Sequence, residues 1–172
     1  MTSNGSSGDA IHPAIDTGAA SVGQIPSGLF IVCAQNPESK LLEGYLASWV
    51  QQVSFQPLMI SLAIKPGRPA CDLVLQGHVF TVNVIGDRDR AVMDHFWSGY
   101  DPEDNPFDKL ALIEGRSGGM LLEAAKSAME CKLHSSAQPG DHLVVIARVL
   151  NCYLLNELAQ PLVHIRESGL SY

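Results

Sequence analysis

Short apolar stretches divided by turn residues, and not long helical periodicities, organise this chain. After Ile25-Pro26-Ser27-Gly28, the run Leu29–Ala34 predicts a buried strand that stops at Asn36-Pro37-Glu38. Gly44–Val53 predicts a second strand of an unusual kind. Ser48, Gln51, Gln52 and the following Ser54 put neutral polar groups on both faces, where a core strand would alternate. Pro57 interrupts, and Leu58–Ile64 predicts a third, nearly all-apolar strand. Lys65-Pro66-Gly67-Arg68 predicts a turn, with Pro69 opening a short helix over Ala70–Gln76 that Gly77 ends. Val79–Ile85 alternates as a strand, and Asp87 is placed to cap a helix running to about Trp97, closed by Gly99.

Tyr100–Pro106 reads as a loop, Phe107–Ile113 as a weak helix and Met120–Ala125 as a helical turn. Ser127–Ser135 and Asp141–Leu155 flank Pro139-Gly140 like the arms of a hairpin, and Leu162–Arg166 is the last strand. Strands joined mainly by short turns predict a mainly β fold: an antiparallel barrel with short helices at its ends, and not a doubly wound sheet. From Met1 to about Gly23 small and polar residues dominate, with no aromatic, so ordering that stretch costs entropy that little burial offsets. The expected organisation is a flexible tail over 1–23, with a dimer contact near Ile11–Ile15, and one domain over 24–172.

Composition narrows the partners. A net charge of −7 with no run of Lys or Arg leaves no face for a nucleic-acid backbone, although one phosphate needs only a few local cations. The longest nearly apolar run is too short to span a bilayer and no leader pattern is present, which predicts a cytoplasmic protein. Cys33, Cys71, Cys131 and Cys152 have no CxxC spacing and read as reduced, half-buried core residues. Dinucleotide-binding glycine fingerprint, P-loop, HExxH and GxSxG are all missing, which lowers Rossmann, P-loop and triad chemistries.

What remains is Leu46–Pro57, whose small residues, hydroxyls and amides suit a planar, polar-edged ring lying against a strand. An isoalloxazine is such a ring. The same composition equally suits a surface strand whose amides meet water, and the residues alone leave both readings open.

The order of Leu46–Pro57, Gly77–Ile85, His95-Phe96, Met129-Glu130-Cys131, Gly140-Asp141-His142 and the terminal His164–Tyr172 resembles the flavin reductase-like family with the FMN-binding split barrel, and within it the C-terminal reductase module of cyanobacterial-type flavodiiron proteins. The resemblance spans roughly Pro26 to Tyr172 and implies an FMN-binding split β-barrel, antiparallel and Greek-key-like. It implies that Ser48, Trp49, Val50, Gln51, Gln52 and Ser54 hold FMN, with the backbone of Trp49–Gln52 at the ring edge and Ser54 near the phosphate. Lys65 and Arg68 would be the phosphate's cationic partners, which an acidic protein needs close by; solvated turn residues are the alternative. Ala70 departs from the hydroxyl that many relatives carry there.

By the same resemblance His142 lies near the flavin face where nicotinamide stacks, orienting more than exchanging protons, because hydride transfer needs alignment and the cofactors supply the chemistry. An ordinary turn histidine is the alternative. Asn83 breaks an apolar strand and either braces the barrel, the favoured role, or touches the ribityl chain. His164, Arg166 and Tyr172 look like a tail approaching the flavin pocket, and His95-Phe96-Trp97 reads as packing. The implied function is an NAD(P)H:flavin oxidoreductase that moves a hydride from NADH or NADPH to FMN and onward to free flavin or an electron-acceptor protein. A flavin-binding relay is the alternative, and a pyridoxamine-phosphate oxidase type ranks below both. The resemblance also implies a homodimer.

Overall fold

A computed structural model describes residues 15–16, 19–88, 90–97 and 105–171. Tyr172, most of the expected tail and most of the Tyr100–Pro106 loop lie outside the described residues. The chain divides into two compact units, Ser27–His164 and a smaller one of Met1–Pro26 with Ile165–Tyr172. In the smaller unit α1 (Ala20–Gly23) is a single helical turn, and the amides of Arg166 and Gly169 donate to the carbonyls of Gly23 and Ala19. Gly23, the expected end of the tail, is thus hydrogen-bonded to Arg166.

In the larger unit the elements are β1 (Ser27–Gly28), β2 (Phe30–Gln35), β3 (Leu42–Ala47), β4 (Val50–Phe55), β5 (Leu58–Ile64), α2 (Cys71–Leu75), β6 (Phe80–Val84), α3 (Arg90–Trp97), a 3-10 turn (Pro106–Lys109), β7 (Leu112–Glu114), β8 (Met120–Leu122), β9 (Ser127–Ala137), β10 (Leu143–Leu154) and β11 (Val163–His164). Seven strands form one antiparallel sheet in the order β3-β2-β6-β9-β10-β5-β4. Its two edges are consecutive in the chain, separated only by Ser48 and Trp49. With two residues between them, Ala47 and Val50 lie no more than about 11 Å apart, so the sheet must curl until its edges approach each other there. The single strand expected over Gly44–Val53 is thus two strands, because at Ser48-Trp49 the chain leaves β2 and takes up β5.

Two cores lie on opposite sides of β2. Val32 and Ala34 join Leu62, Ile64, Phe80, Val82 and Val145 in one; Ile31 and Cys33 join Ile85, Val92, Phe96 and Phe107 in the other. Burial on both faces is why β2 reads as an unbroken apolar run. Phe96 packs edge-on against Phe107 at 5.1 Å, in keeping with the packing role expected of the helix, whereas His95 is exposed.

Other expectations are corrected. Phe107–Ile113 is a 3-10 turn followed by β7, and Met120–Ala125 holds β8; pairing these strands buries Leu121 and lays Leu122 into the second core. Helix α2 starts at Cys71, after Ala70 in a left-handed conformation (φ 64°), and not at Pro69. Asp87 binds the loop at residue 160, its carboxylate accepting from the Gln160 amide at 3.0 Å, while α3 begins at Arg90. The last strand is only Val163–His164. Cys33, Cys71 and Cys131 are fully buried, and Cys152 is exposed.

Candidate functional site

On β4, β5 and β10 only one face is buried. Val50, Leu62 and Val145 turn inward to the core, and the pairings Val50 with Leu62, Gln51 with Ser61, Ala63 with Val144 and Ser61 with Ile146 set the register. Alternation then directs Trp49, Gln51, Ser61, Ala63, Val144 and Ile146 outward. The result is a floor of small and branched side chains, half-buried apart from the exposed Gln51. Along its border runs β4, a sheet edge whose alternate residues turn backbone N–H and C=O groups away from β5.

Two rings close one end of this floor. The Trp49 carbonyl accepts from the Ala63 amide at 3.0 Å, which fixes Trp49 beside the small Ala63. The Trp49 and His142 rings meet with centroids 4.9 Å apart and planes 52° from parallel. His142 Nδ1 lies 2.8 Å from Asp141 Oδ1. The His142 hydrogen bond and charge hold the exposed Asp141 carboxyl below its usual range, and Lys65 adds to this. An ionised carboxylate only accepts, so the imidazole proton sits on Nδ1. Sequence reasoning passed over Asp141 as a working residue; its signal was an acid directly before a histidine after Pro-Gly.

The remaining candidates separate. Ser48 is buried at the strand break and Val50 packs its side chain into the core. Gln51 and Gln52 are exposed, and the Gln52 amide donates to the Ser54 carbonyl across a bulge at Val53. Lys65 and Arg68 are exposed in the turn after β5, where the Ala70 amide donates to the Glu43 carboxylate at 3.0 Å. His164 lies on β11, paired with Ser27 of β1. Arg166 belongs to the smaller unit, buried, its guanidinium donating to the Ser171 carbonyl at 3.4 Å.

Asn83 corrects its candidate ligand role. It has no accessible surface; its Nδ2 donates to the Ile31 carbonyl and Thr81 Oγ1, both at 3.1 Å, and its Oδ1 accepts from the Leu122 amide at 2.9 Å. Its amide is spent on joining β2, β6 and β8. Cys33 shares this polar seam, with Thr81 Oγ1 at 3.0 Å from its Sγ, and burial pushes its thiol up to about 11. An inert, protonated packing residue is the result.

A second buried polar centre escaped notice. Glu130, with no accessible surface, accepts from the Ser117 and Gly119 amides, Asn151 Nδ2 and Tyr153 Oη, all within 2.7–3.1 Å. It clamps the turn between β7 and β8. The signal was a lone acid inside the apolar Ser127–Leu133 stretch.

The profile of the "Flavin reductase like domain" matches residues 22–169. The chain belongs to the flavin reductase-like family. A Nostoc sp. protein of the diflavin flavoprotein A series is 33% identical over 152 residues, covering 88% of this chain and 26% of that relative. Diflavin flavoprotein A 1 of Synechocystis sp. is 30% identical over the same share of this chain. The chain thus spans about a quarter of the length of these curated relatives. The flavin reductase fold recurs in the Streptomyces globisporus NADH:FAD oxidoreductase SgcE6, with a TM-score of 0.75 at 20% identity over 85% of each chain. It recurs also in the styrene monooxygenase flavin reductase of Pseudomonas putida S12, with a TM-score of 0.73 at 25% identity over 85% of this chain and 90% of that one. Among the described residues no helix is long and apolar enough to cross a membrane.

Proposed function

We propose that this flavin reductase-like chain binds FMN on the outer face of β4 and β5 and reduces it with NADH or NADPH, passing electrons to free flavin or a partner protein. The donor set fits that cofactor. Small side chains at Ser61 and Ala63 leave room for a flat ring, the edge strand carries neutral amides at Gln51 and Gln52 for its polar rim, and Lys65 and Arg68 follow at the end of β5 for its phosphate. FMN, when bound, supplies the two-electron chemistry by taking a hydride from a reduced nicotinamide.

The protein's part is alignment. The observation that carries the reading is the Trp49–His142 ring pair, locked by Asp141 at one end of the floor, which offers a second flat ring a defined place beside the first. Anaerobic titration of FMN-loaded protein with each nicotinamide tests it. Loss of the yellow flavin absorbance with NADH or NADPH is expected; FMN that binds yet stays oxidised with both would overturn the reductase reading.

The share of the diflavin relatives that the chain covers favours a second reading, a flavin module that relays electrons for a redox partner. Such a module is reduced by its partner and not by nicotinamide. Two further features belong to either reading. The β4–β5 hairpin exposes Val53 (49%), Phe55 (90%) and Leu58 (37%), an apolar edge that suits a homodimer contact. Free thiols at all four cysteines suit a reducing compartment such as the cytoplasm.

A further inference from the structure

The outer sheet surface runs on beyond the floor. On β10, Ala147 and Val149 turn into the core, so Arg148 between them faces out, two residues past Ile146. On β9 the core residues Cys131 and Leu133 leave Lys132 facing out in the same way. Register sets Arg148 directly across from Lys132 on one side and from Met59 of β5 on the other. Like charges facing each other across a strand pair repel, and neither cation forms an ion pair with a described residue. The chain carries 18 acidic residues, yet β4, β5, β9 and β10 together hold only Glu130, which is buried. The far end of the floor is thus a cationic spot on an acidic protein, with no exposed acid on its own strands.

We propose that Lys132 and Arg148 form an anion site for the 2′-phosphate of NADPH and so set the preference between the two nicotinamides; this rests on the reductase reading and deepens it. Nicotinamide then lies at Trp49 and His142, beside the Ala63–Val144 row, with the flavin phosphate at the same end, on Lys65 and Arg68. Arg148 stands four residues along β10 from Val144, about 13 Å away. The flavin phosphate is already provided for, so the anion left to meet the far pair belongs to the second substrate. In a dinucleotide the pyrophosphate follows the nicotinamide ribose at once, whereas the adenosine and its 2′-phosphate lie at the opposite end. Neighbouring strands set the two residues about 5 Å apart, so both cations reach one phosphate dianion. They give it charge-assisted bonds that the 2′-hydroxyl of NADH cannot match.

Adenosine 2′,5′-bisphosphate, which carries that phosphate without the nicotinamide, is the direct probe, with 5′-AMP as its control. By calorimetry at low salt the wild-type protein is expected to bind the bisphosphate about tenfold more tightly than 5′-AMP. Lys132→Met combined with Arg148→Met should abolish that difference and leave FMN affinity unchanged. KM for NADPH should rise about tenfold in the double variant, and KM for NADH by less than about twofold. Equal binding of the two nucleotides by the wild type, or a preference that survives in the double variant, overturns the proposal and leaves the reductase reading standing. So does a loss of preference that comes with dissociation of a wild-type dimer by light scattering, which would assign the pair to a contact between copies. If bound FMN stays oxidised with both nicotinamides, the reductase reading falls and the proposal with it.

Discussion

Replacing Glu130 by Gln changes one atom in the most densely bonded polar group described in the fold, and its cost can be worked out from the contacts. Oε1 receives the Gly119 amide at 2.8 Å and the Ser117 amide at 2.9 Å; Oε2 receives Asn151 Nδ2 and Tyr153 Oη, both at 2.7 Å. A glutamine must put its own NH2 in one of these places. On the Oε1 side it faces two backbone donors that cannot rotate away, and on the Oε2 side it faces the Asn151 amide and the Tyr153 hydroxyl. On the first side Gly119 loses its acceptor and Ser117 keeps only Oε2, at 3.1 Å; on the second Asn151 and Tyr153 lose theirs; each lost acceptor costs about 1–3 kcal/mol, part of which the phenol recovers by turning. We expect E130Q to lose about 3 kcal/mol, within the range for breaking a buried charged network. Urea unfolding followed by circular dichroism should then show a midpoint lower by about 1.5 M, for a slope of about 2 kcal/mol/M.

Acid supplies the control. Burial alone would raise the Glu130 carboxyl, but hydrogen bonds from Tyr153, Gly119, Asn151 and Ser117 together outweigh it and hold the group below its ordinary 4.5. A depressed carboxyl stabilises the fold fully above its unfolded value and loses that contribution as pH falls through the folded one. The gap between wild type and E130Q should therefore be constant near neutrality and close below about pH 4. A gap under about 1 kcal/mol at pH 7, or one that widens in acid, would refute the clamp.

Two other substitutions separate structure from function. Asn83→Ala strands the Leu122 amide in a buried seam, while Thr81 keeps its bond to the Met120 carbonyl, and should cost about 1–3 kcal/mol by urea unfolding with the FMN affinity of the folded fraction unchanged; a weakened affinity with intact stability would return Asn83 to the ligand. Phe55→Glu, at the tip of the exposed hairpin, should turn the proposed dimer into a monomer by light scattering and abolish the dependence of the urea midpoint on protein concentration; a wild-type monomer at micromolar concentration would remove the dimer altogether.

How far the sequence could be read depended on what each segment packs against. Leu58–Ile64 is found as a strand with those bounds because one face belongs wholly to the core and Pro57 and Lys65-Pro66 stop it at both ends. The β9–β10 hairpin is equally legible, since Pro139-Gly140 leaves no alternative to a turn there. Met120–Leu122 is not legible: three apolar residues carry no period, and only a partner strand that brings its own apolar face, Leu112–Glu114, decides between turn and strand. Asp87 failed for a related reason. A capping residue is read from its near neighbours, whereas its actual partner is the backbone of residue 160, some seventy positions on.

The site divides along the same line. Polar residues on both faces of Gly44–Val53 are an anomaly for one strand but a necessity for this one, because the chain crosses there from one edge of the sheet to the other. Ser48 is buried at the crossing, Trp49 faces out beside Ala63, and Gln51 and Gln52 occupy an edge where amides remain accessible. The mixed pattern is what closes the barrel, and it leaves on the outside of that closure a strip that is neither core nor ordinary surface. β2 and β6 cannot offer such a strip, since both their faces carry packed side chains. The floor proposed for a planar ligand therefore lies where the sheet is covered on one side only, and the rings that border it, Trp49 from the crossing and His142 from the turn before β10, are drawn together by the register of the strand between them.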